Sequence, residues 1–578
     1  MVKCRKCDDI EEKIMAKKLV LPQNDPNGKK KRERYFKRMR QLYQYDLSAP
    51  YFSFNGNLAF LTTKGLAKWW VVWPSLKLTL LTLYKVVMFV PLLIYIGLKR
   101  LIKGYPFPEF KDYYFFFFKR PDRQYLDNFN DDTYFGLQRV SGPNPTWIER
   151  ITEDHQLPER FKADDIVSQL TGQSYEAALQ EKRLYLSDYS LLKVMVDHPK
   201  EIDGRKQYTT NPVALFYRQD NGLLRPLAIQ LYATEPASPQ NPVYTPADGE
   251  HWMMAKMFVQ TADLIVQTVW THSMRSHYLV GSLVLATYRN LSQNHPLFAL
   301  LKPHWQDTLA VNTLIRYYRP THAGGKIPLF GLVLPCEQNT LAEFFGKGMR
   351  TYSFTGSSFP NDIKKQGLED PNLFYPYRDD GQLVWEAIHE FARDYVHLYY
   401  QSDQDVVADF ELQAWGDEIG GSLQENKMGI PDFPTQFNTI DDVVATVGNI
   451  IFLATAQHNC VHYCLYQYVT FAPNMPYCLM APPSTDLQTP LFQSDLMALM
   501  PPLYNVLIQS LGFYLNYIRA NHIGDYDLRQ FDGRSDEVIK KYQAKLKDIS
   551  KEVNARNQER IFPYTLMDPQ LMVNSITS

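Results

Sequence analysis

The chain has 578 residues, and 61 Lys and Arg against 62 Asp and Glu give a formal net charge of −1. That balance excludes a dedicated nucleic-acid binder, which needs a basic excess to neutralise phosphates. With 45% hydrophobic and 21% charged residues the composition also excludes disordered and collagen-like chains, and 38 Tyr and 33 Phe supply apolar area for a thick core.

In chain order, the first thirteen residues (MVKCRKCDDIEEK) carry charge and no apolar stretch, so secretory export is not expected. Cys4 and Cys7 form a lone C-x-x-C pair in what reads as a loose N-terminus over residues 1–20. Six scattered cysteines make no disulfide framework, which points to a reducing, cytoplasmic setting. Lys29 to Arg40 holds eight basic residues and one acid in a helix-compatible pattern, a solvated helix face or a contact for anionic headgroups.

Residues 69–118 form an apolar, helical, membrane-interacting candidate. Leu78 to Leu98 carries only Lys85 as a formal charge, with Trp69, Trp70 and Trp73 before it and Lys99, Arg100 and Lys103 after it. An interfacial helix, a buried helix and a spanning helix all remain open, although Pro91 and Lys85 weaken the last. Tyr113 to Phe118 (YYFFFF) reads as core filler or a second membrane wedge. Beyond it no linker or repeat divides the chain. Strand-like runs are few (Val213–Tyr217, Leu227–Tyr232), and long helical stretches are predicted over Trp252–Leu301, Val384–Tyr400, Asp441–Gln467 and Leu491–Ala520. The fold class is mainly α: one large helical domain with a few short strands.

The chemistry concentrates on two of these helices. His458 and His462 are four apart, about 400° of rotation, so they share a face and can grip one ion. Gln267, His272 and His277 are five apart, about 140° off in a regular α-helix. A shared ion on that helix requires a widened, π-like turn, a feature that clusters at functional sites. A histidine on an apolar helix is otherwise a packed core residue.

Together with their surroundings these residues resemble the lipoxygenase family. The likeness runs through Leu21-Pro22-Gln23-Asn24-Asp25-Pro26, Gly142-Pro143-Asn144-Pro145, Pro212–Tyr217, Trp252, Ala255-Lys256, Asp263, His272 and His277. It continues through Ala286-Thr287, Arg289, His295-Pro296, Leu300-Leu301, Pro303-His304, Asn312, Glu411–Trp415, Gln457-His458, His462, Ala472–Pro476 and Asn574-Ser575-Ile576. It resembles most the bacterial members that lack an N-terminal β-sandwich, with residues 21–578 as one catalytic domain.

The resemblance implies one non-haem iron, with manganese as the other candidate, held by imidazoles of two long helices, a further His or Asn and the terminal carboxylate. It implies a dioxygenase that takes a polyunsaturated fatty acid and O2 to a hydroperoxide, with a membrane surface as a further contact and no nucleic acid. Position by position, His272, His458 and His462 match ligands, Ser578 supplies the carboxylate, and Ala310 stands where Ala goes with S oxygenation in the family. Gln267 falls at the first ligand position and His277 at a non-ligating one, while Gly281 replaces a Glu that most relatives carry. Gln267 then ligates weakly or leaves a water, His277 swings in through a different bulge, or the metal is lost. Two alternatives accompany the dioxygenase: a variant that processes hydroperoxides, and a metal-poor lipid-binding or membrane-docking scaffold.

Overall fold

The computed structural model describes residues 18–45, 61–63, 76–117, 123–155, 163–202, 204–317, 334–422, 427–517, 519 and 521–577. Cys4, Cys7, Trp69, Trp70, Trp73 and Phe118 lie outside the described residues.

A helix that is apolar on every side can only be interior, and that rule places the centre of this molecule. In Glu250–Val266 every residue after Glu250 is buried. The chain continues without a break through a wide π-helical stretch, Gln267–Tyr278, into the α-helix Leu279–Asn290. Its counterpart is Ile440–Phe452, followed by a second π stretch, Leu453–Gln457, and the short helix His458–His462. Thr439 caps the start of this second helix, its hydroxyl accepting from the Asp442 amide while the Asp442 carboxylate accepts from the Thr439 amide. Pro376–His397 packs on Ile440–Phe452 and carries Asp536–Glu559 on its other side, while Leu503–Asn516 packs on the short helix Leu465–Tyr468.

The predicted helices hold with three breaks. The stretch from Trp252 stops at Asn290, and a turn through Ser292 and His295 leads into a separate short helix, Pro296–Leu301. Tyr463 and Cys464 interrupt the stretch that ends at Gln467. Pro501 and Pro502 divide Leu491–Ala520 into Gln493–Ala498 and Leu503–Asn516, since proline supplies no amide to continue a helix.

Both predicted strands belong to a five-stranded antiparallel sheet ordered Glu149–Arg150, Leu184–Asp188, Val213–Arg218, Leu224–Gln230, Val243–Tyr244. Side chains alternate across it. Leu184, Leu186, Val213 and Leu215 cover a small outer core with Val167 and Ala178, whereas Tyr185, Ala214 and Phe216 face the main body. The helix Asp132–Ser141 lies on that inner face, with Phe135 stacked on Phe216 at 5.8 Å between ring centres. Gly136 permits the close approach, because a Cβ there would stand 2.0 Å from the Leu224 carbonyl oxygen. The sheet thereby fixes the loop Gly142–Pro145 that follows this helix and reaches the molecular centre.

Of the aromatic run, Tyr113, Phe116 and Phe117 are buried, so core packing is its role. The basic helix Lys29–Leu42 is mostly exposed, which fits a solvated face and a headgroup contact alike. Arg32 is the exception: it is 5% exposed and pairs with Glu411 at 2.7 Å and Asp25 at 3.2 Å. The apolar run lies within one helix, Leu76–Lys103, on the outside of the molecule. The buried-helix reading of that segment is therefore set aside.

Gly136→Ala should cost about 1–3 kcal/mol, because neither the Leu224 carbonyl nor the helix backbone can yield without moving an element. Urea unfolding measures it, and an unchanged midpoint would show that helix and strand separate freely.

Candidate metal centre

A buried polar network sets the geometry of the widened helix. Asp263 accepts hydrogen bonds from Asn144 Nδ2 at 2.9 Å and from the Tyr189 hydroxyl at 2.8 Å, and it pairs with Arg139 at 3.0 Å. The other end of the Asn144 amide, Oδ1, accepts from the Thr271 hydroxyl at 2.9 Å. One side chain of the Gly142–Pro145 loop thus clamps two points on the central helix eight residues apart, on either side of the start of the π stretch. Inside that stretch the Ser276 hydroxyl donates to the Thr271 carbonyl five residues back. Trp270 docks outward, its indole N–H donating to the Phe344 carbonyl at 2.9 Å. A Cβ on Gly348 would come within 2.7 Å of that indole, so the glycine opens its slot.

The wider turn brings positions five apart onto one face. His272 Nε2 stands 3.1 Å from His277 Nε2 and 3.0 Å from His462 Nδ1. One nitrogen from each of His272, His277, His458 and His462 can be chosen so that all lie within 4.8 Å of one another. His458 is fully buried, His277 and His462 nearly so, and His272 is half-buried. Burial, with the neighbouring imidazoles adding to it, pushes the pKa values of His272 and His458 well below the ordinary histidine value. These rings are therefore neutral and offer lone pairs.

The donor set fits a metal ion. With metal–nitrogen bonds of about 2.1 Å, donors at right angles are about 3 Å apart and opposite donors about 4 Å apart. Both ring nitrogens of His458 are buried without a hydrogen-bond partner among the described residues, an arrangement that native interiors rarely tolerate unless something else accepts the lone pair. Asn312 orients His277: its Oδ1 lies 3.0 Å from Nδ1, and its Nδ2 donates to the His277 carbonyl at 2.6 Å. That contact puts the proton on Nδ1 and the lone pair on Nε2, the nitrogen turned toward His272, the outer-shell arrangement common to metal-binding imidazoles.

Of the residues singled out from sequence, His272, His458 and His462 come together. Gln267 does not join them. Its Nε2 donates to the Val461 carbonyl at 2.6 Å, tying the two central helices together, while its Oε1 accepts from the neighbouring Thr268 hydroxyl at 3.1 Å, so both ends of the amide are engaged away from the histidines. The partner of His272 is His277, whose recruitment was one of the three outcomes the sequence left open beside its place at a non-ligating position. The physical reason is the period. Gln267, His272 and His277 repeat every five residues, and one widened segment, Gln267–Tyr278, spans all three. Spacing alone cannot tell which two face the second helix. Asn312, itself part of the matching pattern, was the available signal.

The loss of a side chain at Gly281 also acquires a meaning, since a Cβ there would sit 2.6 Å from Asn312 Nδ2. Ala310 is buried two residues before Asn312 on the helix Thr308–Tyr317. Ser578 lies outside the described residues, but the segment leading to it is held. His304 bonds through Nδ1 to the Asn574 carbonyl at 3.1 Å and through Nε2 to the Tyr526 hydroxyl at 3.1 Å.

The Lipoxygenase family model matches residues 114–564, and the chain belongs to the lipoxygenase family. The Homo sapiens polyunsaturated fatty acid lipoxygenase ALOX15B is 31% identical over 465 residues, 78% of this chain and 66% of that one. The Homo sapiens hydroperoxide isomerase ALOXE3 is 31% identical over 77% of this chain and 62% of its own length. The chain thus spans just under two thirds of these relatives. The crystal structure of coral 8R-lipoxygenase superposes with a TM-score of 0.79 at 25% identity, covering 97% of this chain and 83% of that one.

Asn312→Ala should weaken metal affinity by about 10- to 100-fold by freeing the His277 ring, as read by competition with a chelator. Gln267→His should leave metal content unchanged, and a gain would mean that position 267 reaches the ion. Burial drops the His304 pKa from 6.5 to about 4. Between those pH values the unfolded chain binds the proton and the folded one does not, so His304 contributes stability above pH 6.5 that is lost as pH falls towards 4. His304→Phe should flatten the acid loss of unfolding free energy in that window by about 3 kcal/mol.

Proposed function

We propose that the protein is a metal-dependent dioxygenase that converts a polyunsaturated fatty acid and O2 into a hydroperoxide. The observation that carries this reading is the meeting of four imidazoles from two widened helices within one metal-sized cluster. Iron, or manganese in its place, would be held by His272, His277, His458 and His462. Nitrogen and oxygen donors of this kind suit a redox-active ion, and such an ion supplies the one-electron oxidant for the weak C–H bonds between two cis double bonds. The chain's own part is positional. Asn144 holds the turn open, Asn312 fixes the His277 tautomer, and the buried setting of three of the four rings limits water around a radical. Buried free thiols at Cys336, Cys460, Cys464 and Cys478 support a reducing, cytoplasmic setting.

A second reading has a specific support, the similarity to a protein named a hydroperoxide isomerase. On that reading the same cluster acts on a fatty-acid hydroperoxide instead of O2 and the parent acid. The metal-poor scaffold is disfavoured by His458, whose unpartnered nitrogens would be left at a cost in an ion-free core.

Elemental analysis together with oxygen uptake on linoleate and arachidonate separates the three. Near one iron or manganese per chain with oxygen uptake supports the dioxygenase, and one metal with hydroperoxide consumption alone supports the isomerase-like variant. No metal after expression with added iron supports the scaffold. His277→Ala should remove both metal and turnover, and full activity in that variant would overturn the ligand assignment.

A further inference from the structure

Among the described residues, eighteen large hydrophobic side chains are exposed, and twelve of them lie on one helix, Leu76–Lys103. The side that meets the protein is a single stripe: Lys85, Met88, Phe89, Leu92, Ile96 and Lys99 are buried or half-buried at helical spacing. The surface around that stripe faces outward and is apolar up to the basic C-terminal turn, from Leu83 and Val87 through Ile94 and Leu98 to Leu101 and Ile102, the last two 83% and 79% exposed. A solvated surface helix carries its charges on its outer face. This one inverts the rule.

We propose that Leu76–Lys103 is a docking helix that lies in the plane of an anionic lipid bilayer surface. Three observations select that occupant. The apolar surface is convex and wraps most of the helix circumference, a shape that sinks between acyl chains. No acidic residue occurs between Leu76 and Lys103, and the helix ends in a basic cluster, Lys99, Arg100 and Lys103, with Arg100 exposed beside Leu101 and Ile102, which complements anionic headgroups. The helix is also held along the body at both ends of its contact stripe. Lys85 Nζ donates to the Tyr514 and Tyr517 carbonyls at 2.8 and 2.6 Å, and Phe89 stacks on Tyr514 at 5.9 Å. Lys99 lies 4.5 Å from the Phe115 ring centre, and Lys103 pairs with Asp112. A helix of about 42 Å fastened this way rests on a membrane without crossing it.

The same fastening faces the metal centre. The Tyr517 ring packs on Tyr463 at 5.9 Å, and Tyr463 meets the His462 imidazole edge-on at 4.8 Å. A bilayer on this helix therefore presents acyl chains to the side of the molecule that holds the histidine cluster, a consequence that rests on the proposed fatty-acid chemistry. Adhesion itself does not depend on that chemistry.

The test is co-sedimentation of the full chain with vesicles of phosphatidylcholine, with and without phosphatidylglycerol, in the absence of fatty acid. The wild type should bind the mixed vesicles, bind pure phosphatidylcholine more weakly, and release under alkaline carbonate. Val87→Ser, Ile94→Ser and Leu101→Ser combined change only exposed positions and should cut partitioning by about tenfold or more, with unfolding midpoint and metal content unchanged. Binding that survives the three substitutions, equal binding to both vesicle types, resistance to carbonate, or a lipid-free dimer that the substitutions dissolve would each overturn the proposal. Because no turnover is read, adhesion and oxygenation succeed or fail separately.

Discussion

Two imidazoles five residues apart cannot meet on a regular α-helix, and the site depends on relieving that mismatch. Widening the turn costs intrahelical geometry, so it persists only where outside contacts pay for it. Asn144 spans Asp263 and Thr271, Trp270 is anchored in a slot that Gly348 opens, and Gln267 is tied to the opposite helix. These contacts come from a loop, a peripheral helix and the second central helix. The site is therefore a property of the whole domain and not of two helices alone.

The polar groups that do this are buried, which makes them expensive unless complete. The network runs on from Asp263 through Arg139 and Gln260 to Gln138 and Asn474. It joins the helix on the sheet, the central helix and the segment after the histidine pair. A conformational change at one of these would strand donors at the others. The arrangement favours a rigid centre, with adjustment left to the periphery.

Much of this was legible in the sequence. His458 and His462 share a face by simple rotation, and the five-residue spacing demanded a π-like turn that the structure contains. The choice between Gln267 and His277 was not legible, because both satisfy the same period and the deciding contacts, Val461 and Asn312, are remote in sequence. The outer strands Glu149–Arg150 and Val243–Tyr244 were too short to leave a pattern. For Leu76–Lys103, composition showed an apolar helix, but whether it is inside or outside depends on how much of its circumference meets the body. Only the packed structure carries that information.

The family match begins at residue 114, yet the protein's interior does not. Leu19 and Leu21 are in the main core, and the Arg32 guanidinium is sealed against Glu411 and Ser292. Removing one partner of a buried ion pair costs about 3–5 kcal/mol, because the charge left behind has no water to turn to. The segment around Arg32 consequently supplies an internal counter-charge for the body that follows it. A graft that exchanges this N-terminal piece for the leading module of another family member must bring its own cation for Glu411.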